Sequence, residues 1–328
     1  VLNITIWTNV LRAVLKPPLI LTKMIVNYTI VDGKRVPKGL LNSFVNKHFP
    51  GLRNDALFQA GVCDRFQTLA AVSKMTLYGR VRWGLLEWDS TFFKKRIFRI
   101  THLLLSQGRG RGDAAKSLIR SVLSMSKRQD ASYIFTSVEA NQFASHRALI
   151  SNGFIVVDSR VTLRISRKRM AFELRKPNKE FLIRRAQQAD KKEIERISAG
   201  SFIYSRFYSD PFFKKDEADK LHRIWIRNIG DDLKKIVFVA QLKSKAKGFI
   251  TCHRDGPRGI IELVAVSNEM RGKGIGRSLL MKVFEWAYAE GIDVEVTTQI
   301  YNYPAFNLYV ESGFRIIRSE IGYSKELS

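Results

Sequence analysis

Towards its C-terminal end the chain reads VAVSNEMRGKGIGRSLLMKV, residues 264 to 283. Gly272, Gly274 and Gly276 occupy alternate positions between an apolar strand pattern and an apolar helix pattern. Because glycine loses more backbone freedom on folding than any other residue, this cluster indicates a tight turn or a backbone that must approach a ligand. The first turn of a helix also presents N–H groups without intrahelical partners, which favour an anion. The stretch therefore predicts a strand, an anion-binding loop and a helix.

The segments around this loop predict an α/β order. After Gly276, an amphipathic helix runs to Gly291, and the β-branched run IDVEVTTQI reads as a strand. A short helix with Pro304 at its start and a final strand, FRIIRSEIGYSK, close the chain. Upstream, KKIVFVAQL, KAKGFITCHR and RGIIELVAV read as three further strands.

The chain also shows a domain boundary and a faint internal repeat. A length of 328 residues favours about two domains, and Pro177 with neighbouring charges marks a break near residues 175–180. Residues 108–165 repeat the order of loop, helix, strand, helix and strand, and we expect GRGRG (108–112) to be a vestigial turn without a second cofactor. The predicted division is an unassigned extension over residues 1–80, a degenerate half over 81–176 and a catalytic half over 180–328.

The composition of the chain leaves several classes of binding partner open. The chain has 56 Lys and Arg against 30 Asp and Glu, a formal net charge of +26, so nucleic acid, anionic lipid and phosphorylated small molecules all stay open as partners. Cys63 and Cys252 are too few and too distant for a disulfide framework, which favours a cytoplasmic setting. We expect no transmembrane segment, no signal peptide and no metal, because no apolar run, cleavage site or metal-ligand spacing is present.

The glycine stretch resembles the acyl-CoA motif of the GNAT N-acetyltransferase superfamily, Arg/Gln-x-x-Gly-x-Gly/Ala, matched by Arg271, Gly274 and Gly276. A Walker loop and a dinucleotide fingerprint do not fit the glycine spacing. Three more segments resemble the TDP-fucosamine acetyltransferase type within that superfamily: LLEWDSTFF (85–93), RALISNGFIVVDSRVTL (147–163) and IYSRFYSDPFF (203–213). The resemblance implies a tandem GNAT-like fold, a mixed central sheet flanked by helices with a degenerate N-terminal half.

The resemblance further implies acetyl-CoA-dependent N-acetylation of a primary amine, with the amino group of a TDP-linked 4-amino-4,6-dideoxy sugar as the favoured acceptor. Tyr309 is the expected general acid, with Tyr303 and Tyr323 in reserve, since a neutral tyrosine can protonate the leaving thiolate. Glu262 is the expected base, while Glu295 and a water relay stay open. The implied cofactor-binding residues are Val264, Ala265, Val266, Arg271, Gly272, Lys273, Gly274, Ile275, Gly276, Arg277, Asn302 and Tyr309.

Acceptor binding is expected from Arg206, Phe207 and Tyr208, because arginine suits a diphosphate and aromatic rings suit a base or sugar face. Trp88 is expected to close the same cleft from the N-terminal half, together with Asp89 and Phe92. Two alternatives stay open: acetylation of a protein or peptide amine, and a catalytically inactive polyanion binder that kept the fold. A homodimer also stays open.

Overall fold

The structure is a computed structural model of the chain. It describes residues 29–36, 38–48, 66–73, 76–174, 181–227 and 235–327. The predicted break at residues 175–180 and Cys63 lie outside the described residues.

Twelve strands among the described residues form one mixed sheet. They are β1 Thr29–Asp32, β2 Phe66–Ser73, β3 Thr76–Leu85, β4 Ile97–Leu105, β5 Tyr133–Glu139, β6 Ile155–Ile165, β7 Leu182–Arg185, β8 Lys235–Leu242, β9 Lys245–Asp255, β10 Arg258–Val266, β11 Asp293–Gln299 and β12 Arg315–Glu326. Their order across the sheet is β1-β2-β3-β4-β5-β12-β6-β11-β10-β9-β8-β7. The predicted fold class, a mixed sheet flanked by helices, is confirmed.

Ten α-helices in the described part of the chain flank this sheet. They are α1 Lys38–His48, α2 Glu87–Phe93, α3 Arg111–Lys127, α4 Phe143–Ser151, α5 Arg167–Glu173, α6 Lys191–Ser198, α7 Arg206–Ser209, α8 Lys215–Arg227, α9 Ile275–Ala289 and α10 Tyr303–Glu311. The predicted apolar stripe of α9 is buried, including Leu279, Val283 and Phe284. Gly291, whose φ is +70°, lies just beyond this helix, where a left-handed residue favours glycine. None of the described helices has both the length and the apolar content that a bilayer crossing needs.

The sheet consists of two halves with the same topology. The first half comprises strands β1 to β6, and the second half comprises strands β7 to β12. In each half the first four strands pair antiparallel in sequence. A long helix, α3 or α9, then leads to a fifth strand that pairs in parallel with the fourth. The internal repeat seen in the sequence therefore corresponds to a repeated structural unit.

The two halves exchange their last strands. Strand β12 pairs with β5 of the first half, and β6 pairs with β11 of the second. Between them, β6 and β12 pair antiparallel, with Arg160 opposite Glu320 at the centre of the register. The Arg160 Nη2 and Glu320 Oε2 atoms lie 3.8 Å apart. Because each half needs a strand from the other, both belong to a single continuous sheet.

The expected boundary at residue 80 does not coincide with the edge of a structural element. Residue 80 lies inside β3, and β1 and β2 continue the sheet of the first half from Thr29 onwards. Phe44 and Val45 of α1 pack with Ala70 and Leu77 in a small apolar cluster. Part of the predicted extension thus forms the edge of the sheet, which the sequence did not indicate because β1 has only four residues.

Candidate functional site

Strands β10 and β11 separate part of the way along their length. Their parallel pairing covers only Arg258–Ile261 and Asp293–Val296. At Glu262 the register of β10 against β9 shifts by one residue, a bulge that bends the strand away from its neighbour. Residues 263–266 stay paired with β9 and, in the described sheet, have no partner on the β11 side. The predicted positions Val264, Ala265 and Val266 therefore lie beside a gap where an extended ligand could pair as a strand does.

The glycine loop, residues 271–277, follows this gap directly. Gly274 is the N-cap of α9 with φ +95°, and Gly272 has φ +73°. Both values lie in the left-handed region that side chains other than glycine rarely adopt. The loop thus places the first turn of α9, with its unbonded N–H groups, at the end of β10, which suits a diphosphate.

The cationic side chains of the loop are already engaged with the protein. Arg271 Nε donates to the carbonyl oxygen of Val266 at 3.3 Å, which fixes the loop to the end of the strand. Arg277 lies 3.5 Å from the fully buried carboxylate of Glu173 on α5. Lys273 Nζ lies 3.8 Å from the sulfur of Met270. Ile275 is buried in the core, so only its backbone can serve a ligand.

Helix α10 carries the predicted acid and packs against α9. Tyr309 is 3% exposed, and its burial raises the pKa of the phenol, so the ring keeps its proton at neutral pH. A Cβ on Gly276 would lie 3.0 Å from Leu308 Cδ2, so this glycine permits the close contact of the two helices. Asn302 is the N-cap of α10: it accepts from Ala305 N at 3.5 Å and donates to Thr298 Oγ1 at 3.3 Å.

The two candidate bases differ in how tightly they are held. Glu262 is partly exposed, and its carboxylate contacts Lys235 Nζ at 2.9 Å and His253 Nδ1 at 3.4 Å. Glu295 is buried, accepts from Arg164 Nε at 2.8 Å and lies 3.4 Å from Arg258 Nη1. Two guanidinium groups therefore fix Glu295, while Glu262 keeps contact with water.

The reserve tyrosines lie in different environments. Tyr303 is exposed at the first position of α10. Tyr323 lies on the exchanged strand β12, in the core of the first half, with its Oη 2.9 Å from His146 Nδ1. The strand exchange therefore packs Tyr323 into the core of the first half, whereas Tyr309 lies in the core of the second.

The predicted acceptor residues do not share one surface. Arg206 and Phe207 face the first half: Arg206 Cζ lies 3.9 Å from the centre of the Phe135 ring, and Phe207 is buried beside Phe93 and Phe213. Phe207 is therefore a packing residue. Trp88, half exposed on α2, stacks on Phe92 at 5.4 Å with the rings 3° from parallel.

Tyr208 instead lines a cavity of about 670 Å³ between α6 and α8. The His222 ring stacks between Phe202 and Tyr208, with ring centres 6.1 and 5.4 Å away. Burial lowers the pKa of His222, and its Nδ1 lies 2.7 Å from the carbonyl oxygen of Ala218, so the neutral ring donates there and leaves Nε2 as an acceptor. Tyr208 donates to Asp219 at 2.6 Å.

Sequence reasoning missed this cavity. Asp219 and His222, three residues apart on one face of α8, were the signal available in the sequence. Phe202 and Leu263 both pack against the apolar cluster that contains Ala265, so the cavity adjoins the strand beside the gap.

Comparisons with known proteins agree with this geometry. The family model described as "Acetyltransferase (GNAT) family" matches residues 201–314. The chain carries a GNAT acetyltransferase domain. The resemblance found in the sequence is confirmed, and acetyl-CoA is the cosubstrate of this family.

Three curated relatives are similar to the chain. The spore coat polysaccharide biosynthesis protein SpsD of Bacillus subtilis (strain 168) is 24% identical over 243 residues, covering 72% of this chain and 80% of that protein. The dTDP-fucosamine acetyltransferase of Escherichia coli O6:H1 is 25% identical over 134 residues, or 40% of this chain and 57% of that protein. Streptothricin acetyltransferase A of Bacillus subtilis (strain 168) is 28% identical over 149 residues, or 44% and 79%.

Two solved structures share the fold over most of the chain. A GCN5-related N-acetyltransferase from Sphaerobacter thermophilus gives a TM-score of 0.58 at 14% identity, covering 92% of this chain and 96% of that one. A tandem GNAT protein from the clavulanic acid biosynthesis pathway gives 0.53 at 13% identity, covering 92% and 99%. At such identities the likeness concerns the fold, here a tandem GNAT fold.

Proposed function

We propose that this chain transfers the acetyl group of acetyl-CoA to a primary amine, and that the amine belongs to a nucleotide-linked amino sugar. The observation that carries the transfer is the gap between β10 and β11, which leads directly to the glycine loop at the start of α9. The sugar is supported by the names of two relatives, a dTDP-fucosamine acetyltransferase and a spore coat polysaccharide biosynthesis protein.

The residues present fit acetyl-CoA, which supplies the acetyl thioester when bound. The backbone of Val264, Ala265 and Val266 would pair with the extended arm of the ligand along the open edge of β10. The N–H groups of residues 272–277 would hold its diphosphate. Arg271 and Arg277 would act mainly by keeping the loop in place, because each already contacts another part of the protein.

Two side chains would move the protons. Glu262, with Lys235 and His253 beside it and water in reach, would accept a proton from the ammonium of the acceptor, directly or through a water. Tyr309, whose phenol is protonated at neutral pH and whose pKa burial raises further, would donate that proton to the departing sulfur. The amine attacks directly, so the protein forms no covalent intermediate.

The acceptor would bind where the two halves meet, with Arg206 and Trp88 on the side of the first half. Arg206 suits this role because its guanidinium lies over Phe135 and, within the described part of the chain, donates one hydrogen bond, to Tyr133 Oη at 3.3 Å. Tyr208 would contribute through the neighbouring cavity with His222. A protein amine has no comparable support among the described contacts.

Calorimetric titration with acetyl-CoA, and then with the same thioester lacking its 3′,5′-ADP portion, tests the proposal. We expect binding that depends on the phosphates, because the loop is built for them. A transfer assay then compares a TDP-linked 4-amino-4,6-dideoxy sugar with an amine-bearing peptide. Transfer to the peptide alone would overturn the acceptor, and no binding of acetyl-CoA would overturn the reaction.

A further inference from the structure

Three arginines from separate elements converge on the open face of the first half. Arg99 ends the parallel pairing of β4 with β5, Arg160 lies on β6, and Arg206 begins α7. Arg99 Cζ and Arg206 Cζ lie 5.6 and 3.9 Å from the centre of the same ring, that of Phe135. Arg160 Nη2 donates to Ser137 Oγ at 2.8 Å, two residues further along β5. We call these three residues the arginine cluster.

The exchanged strand β12 leaves room for this convergence. Gly322 lies opposite both Asp158 of β6 and Ser137 of β5. A Cβ on Gly322 would lie only 2.7 Å from Asp158 Cβ, so any other residue would crowd this face. The absence of a side chain there allows Arg160 to reach across β12 to β5.

The hydrogen-bonding capacity of the cluster is largely unused. Arg206 is mostly enclosed by aromatic rings and makes its single hydrogen bond to the Tyr133 hydroxyl. Among the described residues, neither Arg99 nor Arg206 makes an ion pair. The Nε atom of Arg160 is buried and has no hydrogen-bond acceptor there, although Asp158 Oδ2 lies 3.4 Å away. Three guanidinium groups that lie close enough to repel one another and keep unbonded N–H donors favour an anion between them.

Most of the carboxylates nearby already contact other groups of the protein. Asp210 accepts from the Tyr133 hydroxyl, and Asp158 accepts from Tyr301 Oη at 3.3 Å. Glu320 contacts both Arg160 and Arg318 at 3.8 Å. Asp89 faces Arg206 and Arg99, and burial raises the pKa of its carboxyl group.

We propose that the arginine cluster binds a diphosphate group. A guanidinium pairs with phosphate oxygens through two parallel N–H donors, and Arg99 and Arg206 have such donors free. The inference rests on the proposed function in one respect, since it assigns the diphosphate of the nucleotide-linked acceptor to the first half while the acetyl group is transferred in the second. The half without Tyr309 would thus serve as the acceptor-binding module.

Inorganic pyrophosphate, titrated calorimetrically into protein saturated with coenzyme A, tests the site, because coenzyme A then occupies the glycine loop. Arg99→Gln should weaken pyrophosphate binding about tenfold or more, the loss expected for a charge-assisted hydrogen-bond pair. Arg99→Lys should give a smaller loss, since it keeps the charge without the planar fork. The matched control is Arg120→Gln, an exposed arginine on α3 outside the cluster, which should bind as the wild type does.

Equal affinity in the wild type and Arg99→Gln would overturn the inference, as would pyrophosphate binding that coenzyme A abolishes. Titration with dTDP separates a nucleotide-linked diphosphate from a free anion: a dTDP affinity that does not depend on Arg99 would overturn the assignment to the acceptor. Arg99 is exposed on β4, and thermal unfolding checks that its variants fold. If the wild type does not bind acetyl-CoA, the proposed function is overturned instead. Pyrophosphate binding to the arginine cluster can then be measured in the protein without coenzyme A.

Discussion

The two halves of the molecule build the same loop. In the first half Gly110 is the N-cap of α3 with φ +85°, as Gly274 is of α9 with φ +95°. Gly108, with φ +104°, corresponds to Gly272. The parallel pairing of β4 with β5 ends at Arg99, just as that of β10 with β11 ends at Ile261. The backbone of the second half is therefore reproduced in the first.

The side chains on this shared backbone differ. The seventh residue of α10 is Tyr309, and the seventh of α4 is Leu149. The third residue of α9 is Arg277, and the third of α3 is Asp113, whose charge repels an anion at a helix N-terminus. The first half does contain a buried tyrosine, Tyr323 from the exchanged strand, but His146 holds its hydroxyl. The comparison teaches that the fold provides the loop, whereas a few side chains decide whether it can support chemistry.

The largest change in acetyl-CoA affinity should come from placing a negative charge in the glycine loop of the second half, and not in the corresponding loop of the first half. Gly274→Glu should lower acetyl-CoA affinity at least about a hundredfold, because it removes two or more N–H contacts to phosphate and adds a like charge. Gly110→Glu, which carries the same left-handed strain, should leave that affinity nearly unchanged. Calorimetric titration of both variants measures the difference. Equal losses in both would show that the first half also binds the cofactor and that GRGRG is not vestigial.

Replacing one tyrosine in each core by phenylalanine distinguishes a catalytic role from a structural one. Tyr309→Phe should lower turnover about a hundredfold while acetyl-CoA affinity stays unchanged, as expected for loss of a general acid. Tyr323→Phe should leave turnover within a few-fold and lower the free energy of unfolding by about 1 kcal/mol, through loss of the hydrogen bond to His146. Steady-state kinetics and chemical denaturation measure the two effects. An unchanged rate in Tyr309→Phe would remove it as the acid.

The candidate bases should respond in opposite ways. Glu262→Gln should lower turnover about tenfold to a hundredfold, with little change in stability. Glu295→Gln should lower the free energy of unfolding by about 2 kcal/mol, because it leaves Arg164 without its carboxylate and removes the second carboxylate that contacts Arg258. A normal rate in Glu262→Gln, measured by steady-state kinetics, would leave proton removal to water alone.

The smallest expected effect is on stability and concerns Asp190, near the start of the second half. Hydrogen bonds from Arg184 hold the pKa of Asp190 below its ordinary value, so this carboxylate stabilises the fold above the unfolded-state pKa and stops doing so as pH falls through the lowered folded-state pKa. Asp190→Asn should lose about 1 kcal/mol at neutral pH and show a flatter fall in stability below about pH 4. The control, Asp216→Asn on the exposed face of α8, should change the unfolding curves less. Identical acid unfolding of wild type and Asp190→Asn would contradict this role.

Local sequence patterns predicted many of the helices and strands of the second half. The strand β10, the loop, α9, β11 and α10 lie where the glycines, the apolar periodicity and the cap residues placed them. Such signals act within a few residues, so they survive without knowledge of the rest of the chain. The order of these elements predicted the fold class, and the resemblance of the glycine stretch to a known motif indicated the family; the comparisons confirm both.

The tertiary structure decided which side chains meet. It exchanged β6 and β12, which carried Tyr323 away from Tyr309, and it turned Arg206 towards Phe135 instead of the cavity beside Tyr208. It also tied Arg277 to the buried Glu173. Strand pairing and contacts between distant residues depend on packing across the whole sheet, for which a single sequence has no local signature. The sequence by itself therefore determined the elements and the loop, and only the packing of the two halves decided the surroundings of each side chain.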